Sequence, residues 1–206
     1  MKIVCLSDTH SQHYYFTEKL PRSGDIIIHA GDLTRVGSVA GIQDFIDWFT
    51  ELPYKYKIFI AGNHDFALQE EKSQIHFPDN IIYLEHNSVV IEGIKIWGSP
   101  AIDCFGWAFD KTDVERDDIY YTIPRDCDII VSHVPPYGIM DKRSMINQHV
   151  GCKILKRRIE EIKPKLVIFG HVHEAAGLFV DNDTTYINTA CNINLFDYNN
   201  DKISPN

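Results

Sequence analysis

Five short apolar runs in this chain each lead directly into residues able to ligate a metal or move a proton. Ile3-Val4-Cys5-Leu6 runs into Asp8-Thr9-His10, Ile26-Ile27-Ile28 into Gly31-Asp32, and Ile58-Phe59-Ile60-Ala61 into Gly62-Asn63-His64-Asp65. Ile129-Ile130-Val131 delivers Ser132-His133, and Leu166-Val167-Ile168-Phe169 delivers Gly170-His171-Val172-His173. Runs of this kind, without polar alternation, suit strands covered on both faces, as in a largely parallel sheet. In α/β sheets the ligand site lies at the carboxyl ends of the strands, so a donor after each run predicts one shared site. The rest of the chain is then scaffold for five strand ends.

That scaffold reads as α/β. His13 to Leu20 allows one or two helical turns, closed by Pro21. From Ser38 to Thr50, Ile42, Phe45, Ile46 and Phe49 fall on one helical face, and Pro53 stops the helix before a strand over Lys57 to Ala61. This β-α-β-α-β order implies parallel strands with crossover helices. Phe66 to Lys72 is a further short helix. Strands over Ile81-Leu84, Val89-Ile91 and Ile94-Trp97 follow, the last two joined at Glu92-Gly93 as a hairpin, so the sheet is mixed. Residues 99–125 hold Phe105, Trp107, Phe109, Tyr120 and Tyr121 with no clear period and read as a long irregular segment, functional or lid-like. Val134 to Gly138, with its two prolines, is a rigid loop. Gly151 to Lys163 is an amphipathic helix ended by Pro164, and Gly177-Val180 with Thr184-Ile187 forms a hairpin around Asp181-Asn182-Asp183. That acidic turn lacks the glycine and terminal glutamate of a calcium loop. One domain over 1–197 is expected, with 198–206 a polar tail that frays.

Charge and cysteines bound the partners. The 206 residues carry a net charge of −9, which argues against wrapping a long nucleic acid. The basic residues Lys153, Lys156, Arg157, Arg158, Lys163 and Lys165 alternate with Ile154, Leu155, Ile159 and Ile162 and read as the solvated face of a helix. Cys5, Cys104, Cys127, Cys152 and Cys191 are scattered and show no C-x-x-C pair, the usage of a reducing compartment. No run approaches a membrane span or a signal segment, so a cytoplasmic protein without membrane partner is expected.

Asp8, His10, Asp32, Asn63, His133, His171 and His173 together offer imidazoles, carboxylates and one amide, with no thiolate. Such donors suit manganese foremost, with iron, zinc, cobalt or nickel as alternatives, whereas magnesium and calcium prefer oxygen throughout. Seven donors are too many for one tetrahedral ion and about right for two ions sharing a carboxylate. Two such ions can clamp an attacking hydroxide and a phosphoryl oxygen. His29, inside a strand, reads as a core residue; His76, His86 and His149 read as surface or loop residues, and His13 stays open. No G-x-S-x-G elbow or glycine-rich phosphate loop offers a rival nucleophile or phosphate cradle.

The order Asp8-x-His10, Gly31-Asp32, Gly62-Asn63-His64-Asp65, Ser132-His133 and Gly170-His171-x-His173 resembles the calcineurin-like metallophosphoesterase superfamily. Gly31-Asp32-Leu33-Thr34, Trp97-Gly98-Ser99-Pro100, Trp107-Ala108-Phe109, His133-Val134-Pro135-Pro136 and Gly170-His171-Val172-His173-Glu174 resemble its small single-domain branch, which includes cyclic-nucleotide phosphodiesterases. The resemblance implies a four-layer α-β-β-α sandwich of two mixed sheets. It implies that Asp8, His10 and His173 hold one divalent ion, that Asn63, His133 and His171 hold the other, and that Asp32 bridges them. His64 would face the substrate phosphate, and Asp65 would orient His64. The expected activity is a phosphodiesterase acting on small diesters such as cyclic nucleotides, through attack of a metal-bridging hydroxide on phosphorus. A phosphomonoesterase or phosphoprotein phosphatase, a nuclease, and a non-catalytic metal- or nucleotide-binding module are the alternatives.

Overall fold

All five donor-bearing runs are strands, and they are parallel members of two separate sheets. The computed structural model describes residues 1–199 and 202–205. In chain order the elements are β1 (Lys2–Leu6), α1 (His13–Phe16), β2 (Ile26–Ala30), α2 (Val39–Glu51), β3 (Tyr56–Ile60), α3 (Phe66–Glu70), β4 (Ile81–Tyr83), β5 (Asn87–Ile91) and β6 (Ile94–Ser99). There follow α4 (Asp113–Tyr121), β7 (Ile129–Ser132), β8 (Lys142–Arg143), β9 (Gln148–His149), α5 (Lys153–Ile162), β10 (Leu166–Phe169), β11 (Gly177–Asp181), β12 (Thr184–Asn188), β13 (Ile193–Asn199) and β14 (Lys202–Pro205). Among the described residues one sheet has the order β14-β13-β1-β2-β3-β4 and the other β11-β12-β10-β7-β6-β5. In the first, β1-β2-β3-β4 are parallel and the β13-β14 edge is antiparallel; in the second, the centre β12-β10-β7-β6 is parallel and both edge pairs are antiparallel.

Alternation along the strands builds the layers. Ile3 and Cys5 of β1, Ile58 and Ile60 of β3, Ile129 and Val131 of β7, and Leu166 and Ile168 of β10 share the core between the sheets. Their neighbours point the other way, because successive side chains on a strand face opposite sides. Val4, Leu6, Ile27 and Phe59 pack on Ile42, Phe45, Ile46 and Phe49 of α2. Ile130, Val167 and Phe169 pack on Leu155 and Ile159 of α5 and on Tyr120 of α4. The result is helix, sheet, sheet, helix, as the resemblance implies.

Three expectations change. The segment 99–125 is not irregular throughout: α4 forms there, capped by Thr112, whose Oγ accepts from Glu115 N at 3.4 Å while the Glu115 carboxylate accepts from Thr112 N at 2.8 Å. This reciprocal box satisfies amides that a helix start leaves open. Replacing Thr112 with alanine is expected to cost about 1 kcal/mol in a urea denaturation. Arg158 leaves the solvated face of α5: it is buried and donates to the carbonyls of Tyr120 at 3.2 Å and Ile123 at 2.7 Å, closing the end of α4. Of the tail from Tyr198, residues 200, 201 and 206 lie outside those described; among the described ones, Tyr198 N donates to Met1 O at 2.7 Å and β13 pairs with both β1 and β14.

Candidate metal centre

The carboxyl ends of β1, β2 and β3 in one sheet meet those of β7 and β10 in the other. Glycine makes this approach possible. A Cβ on Gly62 would stand 2.2 Å from Asp32 Oδ1, one on Gly170 would stand 2.2 Å from Asp8 Oδ2, and one on Gly31 would stand 2.6 Å from His133 Nδ1. The backbone beyond the strands is itself unusual: Asp8, His10, Asp32 and His171 all have positive φ, between 44° and 67°. Left-handed geometry at non-glycine residues costs on the order of 1–3 kcal/mol each and persists only where surroundings enforce it. Here they do, because Asp8 N donates to Gly31 O at 2.9 Å and His10 N to Asp32 O at 3.1 Å.

Three imidazoles are oriented by one device. Nδ1 of His133 lies 2.9 Å from Ala30 O, Nδ1 of His10 lies 3.3 Å from Thr34 O, and Nδ1 of His64 lies 2.8 Å from Arg35 O. With a carbonyl on Nδ1, each ring presents Nε2 to the centre, the arrangement that positions metal-binding histidines. His133 Nε2 is 3.0 Å from Asn63 Oδ1 and 3.4 Å from Asp32 Oδ2. His10 Nε2 is 3.3 Å from His173 Nε2, and His173 Nε2 is 3.1 Å from Asp8 Oδ1. Asp8 is further held by Ser7 Oγ at 2.5 Å and by His171 N at 3.1 Å.

The donors form three groups, of which one, His10, Asp32 and His64, shares a residue with each of the other two. Of those two, Asp8, His10 and His173 are the first, and Asp32, His133 and His171 the second; within each, the ligand atoms lie within 4.8 Å of one another. Asn63 Oδ1 joins the second through His133, and Asp32 also approaches His10 Nε2 at 3.8 Å. Two buried carboxylates among converging imidazole nitrogens make a donor set suited to divalent cations. Burial opposes the charge on Asp32, yet His133 holds its carboxyl well below the usual range. Burial likewise opposes the charge on His133, but the Asp32 carboxylate raises it to about 9. The hydrogen bond to Asp8 lifts His173 to about 10, while burial lowers His171 to about 4.

Asp65 corrects an expectation. Its buried carboxylate does not orient the His64 ring, whose Nδ1 rests on Arg35 O. It accepts instead from Gly62 N at 2.8 Å, Leu33 N at 3.1 Å, and Thr34 N and Oγ1 at 3.0 and 2.9 Å. Asp65 therefore ties the loop after β2 to the loop after β3. His29 is a core residue with Nε2 3.1 Å from Thr9 Oγ1, pushed down to about 3 by burial. His13 also lies in the core, beside Phe45 and Trp48.

A cleft of about 390 Å³ opens over the cluster, lined by His10, Asp32, Asn63, His64, His171 and His173. Of the aromatics between 105 and 121 only Trp107 lines it, with its ring 4.5 Å from that of His64. Phe109 and Tyr120 are buried in the core. The sequence reading missed Cys104 and Arg143, which also line the cleft. Neither sits in a motif or after an apolar run, so only the folded chain reveals them.

A family model described as Calcineurin-like phosphoesterase matches residues 1–175. The human protein called Metallophosphoesterase domain-containing protein 1 is 34% identical over 225 residues, covering 94% of this chain and 67% of its own length. A UPF0046 protein of Caenorhabditis elegans is 34% identical over 209 residues, covering 93% of this chain and 70% of its own. Among solved structures, TT1561 of Thermus thermophilus superposes with a TM-score of 0.69 at 13% identity, covering 100% of this chain and 97% of its own.

Proposed function

The chain belongs to the calcineurin-like phosphoesterase family, a family of metal-dependent phosphoester hydrolases, and from that premise we propose that it is a phosphodiesterase acting on small diesters such as cyclic nucleotides. The observation that carries the reading is the pairing of His64 with Trp107 on the wall of a cleft lined by Asp32 and the imidazoles of His10, His171 and His173. A flat apolar wall beside His64 accommodates a second substituent on phosphorus, which a diester has and a simple monoester lacks.

Asp8, His10 and His173 would hold one divalent ion and Asn63, His133 and His171 the other, with Asp32 shared between them. When bound, a pair of such ions acidifies water and withdraws charge from phosphoryl oxygens. The protein supplies the rest. Carbonyls on Nδ1 fix the rings of His10 and His133, and Asp65 fixes the two loops that carry Asp32 and Asn63. His64, anchored through Nδ1, presents Nε2 to the cleft, 3.9 Å from Asp32 Oδ2. With a proton on Nε2 it can stabilise charge on the phosphoryl oxygens or protonate a leaving alkoxide. All five cysteines are free thiols, in keeping with a cytoplasmic enzyme.

The testing experiment is a panel of bis-nitrophenyl phosphate, nitrophenyl phosphate and 2′,3′- and 3′,5′-cyclic nucleotides, assayed with added manganese. Diesters turned over faster than the monoester support the reading, and monoester preference overturns it. His64→Ala is expected to slow cyclic nucleotides, with their poor alkoxide leaving groups, by roughly 10²–10⁴-fold, and nitrophenyl esters much less. Equal losses on both would leave His64 only charge stabilisation.

A further inference from the structure

One cationic side chain among those lining the cleft has no work in the chemistry described so far. Arg143 lies on β8, the first strand of a short hairpin in which it pairs with Gln148 of β9. The hairpin is pinned over the site by the hydrogen bond from Ser144 N to Glu174 Oε1, at 3.1 Å. Glu174 is the residue after His173, so this bond sets the hairpin against the strand end that supplies two of the candidate ligands. Arg143 is exposed and, among the residues described, is the only Lys or Arg lining the cleft. Its guanidinium makes no hydrogen bond or ion pair among the described residues, although Glu174 and Cys104 line the cleft with it.

Charge decides what such a group is for. Two divalent ions set against the Asp8 and Asp32 carboxylates and a hydroxide leave one positive charge, which a phosphodiester monoanion cancels. Arg143 and Glu174 then add one charge of each sign to the cleft, but no hydrogen bond or ion pair joins them among the described residues, so the guanidinium keeps its donors open to a further anion. Arg is the side chain whose planar fork matches a phosphate or carboxylate through two parallel hydrogen bonds. Held on the rim above the buried donors, it meets a part of the substrate away from the scissile phosphorus. Resting on the hydrolase reading, we propose that Arg143 is a specificity residue that binds a second anionic group of the substrate, so that the preferred diesters carry a phosphate or carboxylate in addition to the ester that is cleaved.

A matched pair of substrates tests this. Thymidine 5′-(p-nitrophenyl phosphate) and its 3′-phosphorylated counterpart share leaving group and base and differ by one phosphate. The manganese-loaded protein is expected to favour the 3′-phosphorylated ester by roughly tenfold to a hundredfold in kcat/KM, mostly through KM. Arg143→Gln removes that preference, and Arg143→Lys restores part of it. Calorimetric binding of thymidine 3′,5′-bisphosphate and thymidine 5′-monophosphate supplies a readout without turnover, and the bisphosphate is expected to bind at least tenfold tighter to the wild type only. If both esters are cleaved but the wild type shows no preference, or Arg143→Gln weakens both equally, the assignment is overturned. If neither ester is cleaved with any divalent metal while the binding preference and its loss in Arg143→Gln persist, the hydrolase reading falls and the anion subsite stands.

Discussion

Replacing Asp32 with alanine is expected to disrupt both metal positions at once and to lower phosphoester turnover by roughly three orders of magnitude or more. The expectation follows from where its oxygens lie. Oδ2 is 3.4 Å from His133 Nε2 and 3.8 Å from His10 Nε2, so one carboxylate oxygen faces donors of both the first and the second group. Oδ1 meanwhile accepts from His64 N at 2.9 Å, so the same side chain also sets the start of the loop bearing the residue proposed to face phosphate. No neighbour can substitute, because Asp8 is committed to Ser7, His171 N and His173, and Asp65 is turned into the loop brace. Elemental analysis of the purified variant should find well under two ions per chain, with the far-ultraviolet circular dichroism of the wild type retained. A variant that keeps two ions and wild-type turnover would remove Asp32 from the shared position. Asp8→Ala offers the contrast: it strips one group of donors only, and one tightly held ion should remain.

Much of the candidate site was legible in the sequence because most of its candidate ligands follow closely on a strand end. A buried parallel strand needs an apolar run, and the run locates its own carboxyl end, so Asp8, Asp32, Asn63, His133 and His171 could be placed at one edge from the sequence. The helix α2 was legible for the same kind of reason: Ile42, Phe45, Ile46 and Phe49 repeat at helical spacing against one sheet. What stayed hidden depends on contacts between segments far apart in the chain. The helix α4 buries only Arg116 and Tyr120, four residues apart, among acids, which is too sparse a stripe to show a period; its Thr112-x-x-Glu115 box was the readable signal. In β13, Ile193 and Leu195 pack toward the helices and Phe196 toward the space between the sheets, and the interleaved asparagines conceal the strand. Asp65 stands beside His64 in sequence yet points into the loop after β2. Adjacency along a tight turn says little about which way a side chain faces. Arg158 was misread because helical periodicity assigns a face but not what packs on it, and the free carbonyls of α4 lie there.

The second large effect is expected from a residue with no side chain at all. In Gly170→Ala, the new methyl would fall 2.1 Å from Ser7 Oγ and 2.2 Å from Asp8 Oδ2, distances that real Cβ atoms do not adopt. Ser7 and Asp8 are both buried, and their side chains are hydrogen-bonded to each other at 2.5 Å, so neither can swing into open space. The strain must be relieved by moving β1 and β10 apart at their carboxyl ends, which separates Asp8 from the His171 amide and from His173. Displacing a ligand by about 1 Å can cost on the order of a hundredfold in rate, and overpacking a rigid site typically costs about 1–3 kcal/mol of stability. The variant should therefore lose roughly a hundredfold in turnover, lose tight binding of one ion, and melt earlier. Gly93→Ala is the control that separates crowding from backbone strain. Gly93 has φ of +84°, but its Cβ would meet nothing within 4 Å, so the change strains a hairpin turn far from the centre. It should lower stability while leaving metal content and turnover near wild type. If Gly170→Ala behaves like Gly93→Ala, the two sheets are not held at the separation that the metal centre demands, and the glycine before His171 has only a backbone role.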